Sequence, residues 1–105
     1  WESVRMMKSA GFTDTFAAVG SGSGFTWDPL RNANISRYYT EEAELKKQRL
    51  YDTYHDIDEL IPRRIDYLWA RGFKKIESCR LCFDDVSEDG FPASDHFGLT
   101  ADIDF

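Results

Sequence analysis

Two short segments combine residue types that can act on a phosphate group. Ser94, Asp95 and His96 are consecutive and stand where an acidic loop gives way to an alternating apolar segment. A histidine and an aspartate at the start of a strand can reach a reacting group from one rigid support. Asp95 can bind a metal or a metal-bound water. His96 can donate a hydrogen bond to a phosphate oxygen or move a proton, since imidazole titrates near neutral pH.

A second carboxylate lies upstream in the sequence Arg64-Ile65-Asp66-Tyr67. Residues 65–70 alternate in a period of two, which is typical of a strand. If this strand lies near the one that follows His96, Asp66 can accept a hydrogen bond from the imidazole and fix its tautomer. The alternative is a surface ion pair between Asp66 and Arg64 or a lysine, which contributes only about 0 to 1 kcal/mol. The apolar neighbours of Asp66 favour burial and therefore a partner.

Periodicity and breaker residues predict the elements that must position these groups. Gly11 follows a helical pattern as a left-handed residue commonly does, and Asp28-Pro29 stops a short β-prone segment. Thr40 can cap a helix that ends before Pro62. The predicted order is a helix over residues 1–10, an apolar segment over 12–19, a flexible Gly/Ser connector over 20–24, a strand over 25–27, a loop over 30–39, a helix over 41–59, strands over 65–70 and 75–83, an acidic loop over 84–92 and a final strand over 97–105.

The charge distribution narrows the choice of partners. The chain of 105 residues has a net charge of −6, and residues 81–105 hold seven acids and no base. Duplex nucleic acid is a poor partner for such a chain, because its binding depends on lysine and arginine. Carboxylates suit a divalent cation, but the acidic loop lacks the EF-hand spacing and is expected to be exposed.

Other classes of site find little support. Cys79 and Cys82 offer two ligands where structural zinc needs four, so reduced, partly buried thiols are expected. No apolar run is long enough to cross a bilayer, and localisation stays open. Trp1 stands inside an amphipathic pattern without a preceding cap, which indicates a cut end rather than a natural start.

Four segments in order resemble the C-terminal half of the endonuclease/exonuclease/phosphatase superfamily, whose members share the deoxyribonuclease I-like fold. The segments are Gly11-Phe12-Thr13-Asp14-Thr15-Phe16, Gly24-Phe25-Thr26-Trp27-Asp28, Arg64-Ile65-Asp66-Tyr67-Leu68 and Ser94-Asp95-His96. Together they cover nearly the whole chain. The resemblance implies an α+β domain over residues 1–105 that is the C-terminal half of a four-layer α/β/β/α sandwich, with mostly antiparallel sheets and covering helices.

The resemblance also implies a function. The intact protein is expected to be a divalent-metal-dependent phosphoester hydrolase, a phosphodiesterase, nuclease or phosphatase, with Mg²⁺ or Mn²⁺ as cofactor. His96, Asp66 and Asp95 are the expected catalytic residues, with Asp95 also at the metal. Trp27, Arg64 and Asn34 are expected to contact substrate.

The absence of the family's N-terminal motifs from this sequence limits this expectation. The family's metal-binding asparagine and glutamate and its Gly-Asp-x-Asn segment belong to an N-terminal half that this sequence does not contain, so the isolated chain is expected to be inactive. The expected substrates are a lipid head group, a small phosphoester or single-stranded nucleic acid. The alternative is a non-catalytic binding or scaffolding module derived from the same fold.

Overall fold

The chain combines helices with small antiparallel sheets. The computed structural model describes residues 1–35 and 62–105, so the helix predicted over residues 41–59 lies outside the described residues. The elements are α1 (Glu2–Ser9), β1 (Thr13–Asp14), α2 (Thr15–Val19), β2 (Trp69–Ala70), β3 (Lys75–Cys82) and β4 (Gly98–Asp104). Both sheets that the described residues form are two-stranded and antiparallel, β1 with β2 and β3 with β4. The mixed α+β class is therefore confirmed.

The first helix ends as its sequence predicts. α1 covers Glu2–Ser9, and Gly11 follows with φ of +83°. In this left-handed conformation the Gly11 amide donates to the Lys8 carbonyl, and the Phe12 amide donates to the Met7 carbonyl over 3.1 Å. Glycine adopts this conformation without a Cβ penalty, so the position closes the helix and turns the chain toward β1.

The sheet of β3 and β4 has one apolar face. Its cross-strand partners include Ile76 with Ile103, Cys79 with Ala101, and Leu81 with Leu99. A β-bulge between Ile76 and Ser78 takes up one extra residue of β3. Because of this bulge, Cys79 and Leu81 stay on the same face of the sheet as Ile76. The α2 helix packs on β3, where the Thr15 hydroxyl lies 3.2 Å from Cys79 Sγ. Both predicted strands in this region are confirmed.

Two other predicted strands are wrong in length. Of residues 65–70, only Trp69 and Ala70 belong to a strand, paired with Asp14 and Thr13. The strand predicted over residues 25–27 is reduced to one antiparallel bridge between Trp27 and Arg63. The physical reason is that side chains, rather than a neighbouring backbone, satisfy much of this region's hydrogen bonding.

The Gly/Ser connector, predicted to be flexible, has a packing role at its ends. Phe16 is buried, and an added Cβ at Gly24 would overlap its ring. An added Cβ at Gly20 would lie 2.6 Å from the Phe16 carbonyl oxygen. Gly24 is itself buried and has φ of +65°. The connector therefore folds closely around one aromatic side chain just before Thr26.

Several large apolar side chains remain exposed in the described part of the chain. Phe97 is only 2% exposed, whereas the exposed fraction is 66% for Phe105 at the end of β4 and 70% for Phe83 at the end of β3. Leu30 and Trp1 are also exposed. Exposed apolar surface of this kind favours association.

We expect Gly24→Ala to be more destabilising than Gly22→Ala. Both glycines have positive φ, so each substitution carries a backbone cost of roughly 1 to 2 kcal/mol. Only Gly24 lies against Phe16, since an added Cβ at Gly22 meets nothing within 4 Å. The clash adds about 1 to 3 kcal/mol. Chemical denaturation of the two variants measures the difference, and equal free energies of unfolding would contradict the packing role.

We also expect the 105-residue chain to self-associate through its exposed apolar surface. Phe105→Ser should shift the distribution toward monomer in sedimentation velocity, because it removes a large apolar side chain. Asp104→Ser is the matched control, as it leaves that surface unchanged. A monodisperse, cooperatively melting wild-type monomer is the result that this expectation cannot accommodate.

Candidate active site

The structure brings His96 and Asp66 into direct contact. His96 Nδ1 lies 2.7 Å from Asp66 Oδ2, across thirty positions of sequence. An ionised carboxylate only accepts hydrogen bonds, so Nδ1 is the donor and the proton position on the ring is fixed. The side chains of His96 and Asp66 are 38% and 46% exposed. The predicted contact is therefore present, at a depth where a small molecule can reach it.

Thr26 lies between the two segments that carry this pair. Its hydroxyl oxygen accepts hydrogen bonds from the Ile65 amide over 3.2 Å and the Asp66 amide over 3.0 Å. Its carbonyl oxygen accepts from the Phe97 amide over 2.7 Å. Thr26 has no exposed surface. One buried residue thus bonds to the backbone of Asp66 and to the residue that follows His96.

The Asp66 segment is also held from the α2 side. Arg64 Nη1 lies 2.8 Å from Asp14 Oδ1 and 2.7 Å from Asp14 Oδ2. Only the approach to Oδ1 is aligned as a hydrogen bond, and Oδ2 is held by charge alone. Asp14 Oδ1 also accepts from the Ala17 amide at the start of α2, and the Thr15 hydroxyl donates to the Leu68 carbonyl over 2.9 Å.

The guanidinium of Arg64 has no simple substrate-binding geometry. It contacts buried Asp14, and its central carbon lies 4.6 Å from the centre of the Tyr67 ring and 5.7 Å from that of Phe16. Such contacts orient the side chain through charge and cation–π attraction. In the structure the Arg64 side chain links Asp14 to the rings of Tyr67 and Phe16. Its expected contact with substrate stays a prediction.

Two asparagines fix the loop that leads into Ser94-Asp95-His96. Asn32 is 1% exposed, and its Nδ2 donates to the Ser94 carbonyl over 2.9 Å. Asn34 Nδ2 donates to the carbonyls of Pro92 over 2.6 Å and Ser94 over 3.2 Å. Asn34 was expected to contact substrate, and the structure instead uses its amide to hold the loop. Its contact with substrate remains a prediction.

The asparagines are placed by a turn that begins at Asp28. Asp28 is buried, and its Oδ1 accepts from the amides of Leu30 over 3.0 Å and Arg31 over 3.3 Å. The Asn32 amide donates to the Asp28 carbonyl over 2.8 Å. Aspartate side chains commonly organise turns in this way. The turn therefore carries Asn32 from the Thr26 segment to the Ser94 carbonyl.

The Ser94-Asp95-His96 turn has its own bonds. The Ser94 hydroxyl donates to Asp95 Oδ1 over 3.3 Å and accepts from the His96 amide over 3.1 Å. Asp95, which precedes His96, is exposed, and its carboxylate can turn toward a ligand.

Trp27 is half-buried with its backbone paired to Arg63, so its predicted role beside a substrate is not tested by these contacts.

The described residues fit a divalent cation only in part. Asp95 can supply one ligand, and Mg²⁺ is commonly bound through one or two carboxylates, water and substrate phosphate. Within residues 1–35 and 62–105, however, no group of three or more His, Cys, Asp or Glu side chains could hold a metal. The Cys79 and Cys82 thiols are free, as predicted.

An open groove of about 540 Å³ adjoins the anchored loop and is lined in part by Asn34, Asp85, Asp89 and Phe91. Hydrogen bonds from the Ser87 hydroxyl and the Phe91 amide hold the pKa of Asp89 below its ordinary value. These bonds close the acidic loop locally. The groove therefore places carboxylates beside Asn34 rather than basic groups that would attract a phosphate.

Sequence reasoning missed Thr26 and Asn32 as organisers of the site. Trp27 was singled out as a large aromatic residue, whereas the preceding residue, Thr26, makes the hydrogen bonds to the Asp66 segment and to Phe97. A signal for Asn32 was present, since Asp28-Pro29 followed by polar residues is typical of an aspartate-stabilised turn. No pattern indicates that the Thr26 hydroxyl meets residues 65 and 66, because that contact depends on tertiary structure.

Comparison with protein-family models, curated proteins and solved structures gave no match for this chain. The functional argument therefore depends on the geometry and on the motif resemblance. Across the two described ranges, no helix is long and apolar enough to cross a membrane.

We expect Asn32→Ala to destabilise the protein more than Asn34→Ala. Asn32 is almost fully buried, and its loss removes both its bond to the Ser94 carbonyl and the acceptor of the Asn34 amide, which donates to Asn32 Oδ1 over 3.0 Å. A buried polar group left without its partner costs about 1 to 3 kcal/mol. Urea denaturation compares the two variants. The reverse order would show that Asn34 is the main anchor of the loop.

Proposed function

We propose that this chain supplies the histidine and carboxylate of a divalent-metal-dependent phosphoester hydrolase, a phosphodiesterase or phosphatase. The observation that carries the proposal is the 2.7 Å contact between His96 Nδ1 and Asp66 Oδ2. It joins the two motifs that resemble the endonuclease/exonuclease/phosphatase superfamily. A chance pair of motifs has no reason to meet in this way.

The pair has the chemistry that such a reaction needs. Asp66 orients the ring through Nδ1, which leaves Nε2 as the atom that meets a substrate. No hydrogen bond joins Nε2 to any residue within 1–35 and 62–105. In the imidazolium form, Nε2–H can donate to a phosphoryl oxygen as negative charge develops, or protonate the leaving oxygen.

Hydrolysis joins a water molecule to the phosphate and releases the ester oxygen as a hydroxyl group. The oxygen of a water bonds to phosphorus, the ester P–O bond breaks, and the leaving oxygen takes the proton from Nε2. The proton lost by the attacking water returns to the ring or to solvent. A bound Mg²⁺ or Mn²⁺ would neutralise phosphate charge and lower the pKa of a bound water. Asp95 offers one ligand to it, and the remaining ligands belong to other parts of the intact site.

The same proposal extends to the fold and the substrate. The antiparallel β3–β4 sheet, with one apolar face and α2 packed on β3, would belong to one side of a four-layer α/β/β/α sandwich. Residues 1–105 would then be the C-terminal part of that domain. The acidic surface favours a lipid head group, a small phosphoester or single-stranded nucleic acid over duplex nucleic acid.

In the intact protein that carries this chain, we expect His96→Ala to lower kcat by roughly 10² to 10⁴-fold. Asp66→Asn should also lower kcat, because the amide can present a donor to Nδ1 and change the ring's tautomer. Hydrolysis of bis(p-nitrophenyl) phosphate in Mg²⁺ or Mn²⁺ gives the rates.

Asp104→Asn is the control, since it neutralises an exposed carboxylate at the far end of β4 and should keep the wild-type rate. Circular dichroism checks that each variant is folded. A folded His96→Ala variant with wild-type activity would refute the role of His96, whereas an intact wild-type protein without hydrolase activity would favour the non-catalytic binding module.

A further inference from the structure

Thr26 is buried, and its polar groups bond where the candidate active site is assembled. The hydroxyl oxygen accepts from two successive amides, and the carbonyl accepts from a third. A hydroxyl oxygen has two lone pairs, so both acceptor positions are used. A small buried side chain can pack well without making this many hydrogen bonds.

The three amides belong to the segments that hold the histidine and its carboxylate. The hydroxyl receives the amide of Asp66 itself, and the carbonyl receives the amide of Phe97, next to His96. Hydrogen bonds are directional, so each one limits how far its segment can move. Thr26 therefore makes hydrogen bonds to the backbones of both segments that form the His96–Asp66 contact.

The hydroxyl replaces a strand neighbour at this point. Ile65 and Asp66 belong to no strand, so no ladder partner receives their amides in the described part of the chain. Buried backbone amides without an acceptor are costly, and a segment that loses its acceptor tends to shift until it finds another. A shift of the Asp66 backbone would move the carboxylate away from Nδ1.

We propose that Thr26 is a positioning residue that sets the hydrogen bond between Asp66 and His96 by holding the amides of residues 65 and 66. Its contribution to catalysis rests on the proposed function, whereas its contribution to the geometry of the pair does not. Thr26 acts through its neighbours and does not itself need to touch a substrate.

Thr15 provides the matched control for loss of a buried hydroxyl. Like Thr26 it has no exposed surface, and its hydroxyl donates to the Leu68 carbonyl. Thr15→Val and Thr26→Val therefore remove the same group from equally buried positions. Only Thr26→Val removes the acceptor of the Asp66 amide. A general loss of stability would affect both variants alike.

The test follows the Nδ1–H proton of His96 by NMR in ¹⁵N-labelled protein, together with the ring nitrogen shifts that report its tautomer. We expect exchange of this proton with solvent to accelerate at least roughly tenfold in Thr26→Val, the factor that corresponds to about 1.4 kcal/mol. Thr26→Ser, which keeps the hydroxyl, should retain wild-type exchange. Thr15→Val removes only a bond to Leu68, two residues beyond Asp66, and should accelerate the exchange less than Thr26→Val does. In the activity assay, Thr26→Val should lower kcat with little change in KM.

Unchanged exchange in folded Thr26→Val, or equal acceleration in Thr15→Val, would overturn the inference. If Thr26→Val does not fold, Thr26→Ala replaces it, with the same acceleration expected and unchanged exchange counting equally against the inference. The two proposals fail separately. Activity that survives His96→Ala removes the catalytic role of His96 but leaves the NMR effect of Thr26→Val in place, while an unchanged NMR signal removes the role of Thr26 alone.

Discussion

The rest of the site depends on how the backbone around Asp66 satisfies its hydrogen bonds. Strand pairing would give these groups carbonyl and amide partners, but here the hydroxyls of Thr26 and Thr15 supply part of that bonding. Each of these side-chain bonds is directional and joins one hydroxyl to particular backbone groups. The carboxylate of Asp66 is therefore placed by a few directional bonds, and the 2.7 Å contact with His96 follows from that placement.

Local patterns in the sequence account for much of the fold. The helix that ends before Gly11, strand β3 and strand β4 were predictable because periodicity and breaker residues act over a few neighbouring positions. Contact between Asp66 and His96 was also anticipated, although it spans thirty positions. That expectation came from the order of the motifs and the cost of an unpaired carboxylate, not from any local pattern.

The misjudged parts share a physical origin. Residues 65–70 alternate as a strand does, yet alternation reports the faces of an extended chain and not whether a partner strand exists. The Gly/Ser connector has a flexible composition, but its glycines also allow the close approach of Phe16. The substrate contacts expected for Arg64 and Asn34 stay predictions, but both side chains also have protein partners that no local pattern indicates. Their partners, Asp14 and the Pro92 carbonyl, become visible only in three dimensions.

The anchoring of Pro92 and Ser94 has a consequence for how this protein can diverge. Residues 87–91 close on themselves through the amide of Ser87 bonded to the carbonyl of Phe91 and that of Gly90 bonded to the carbonyl of Ser87. The hydrogen bonds from Asn32 and Asn34 reach only Ser94 and Pro92, which follow this closed loop. Insertions or exchanges at its tip, near Glu88, are thus separated mechanically from the histidine. The acidic loop can gain length and new recognition residues during evolution while the reacting pair keeps its geometry.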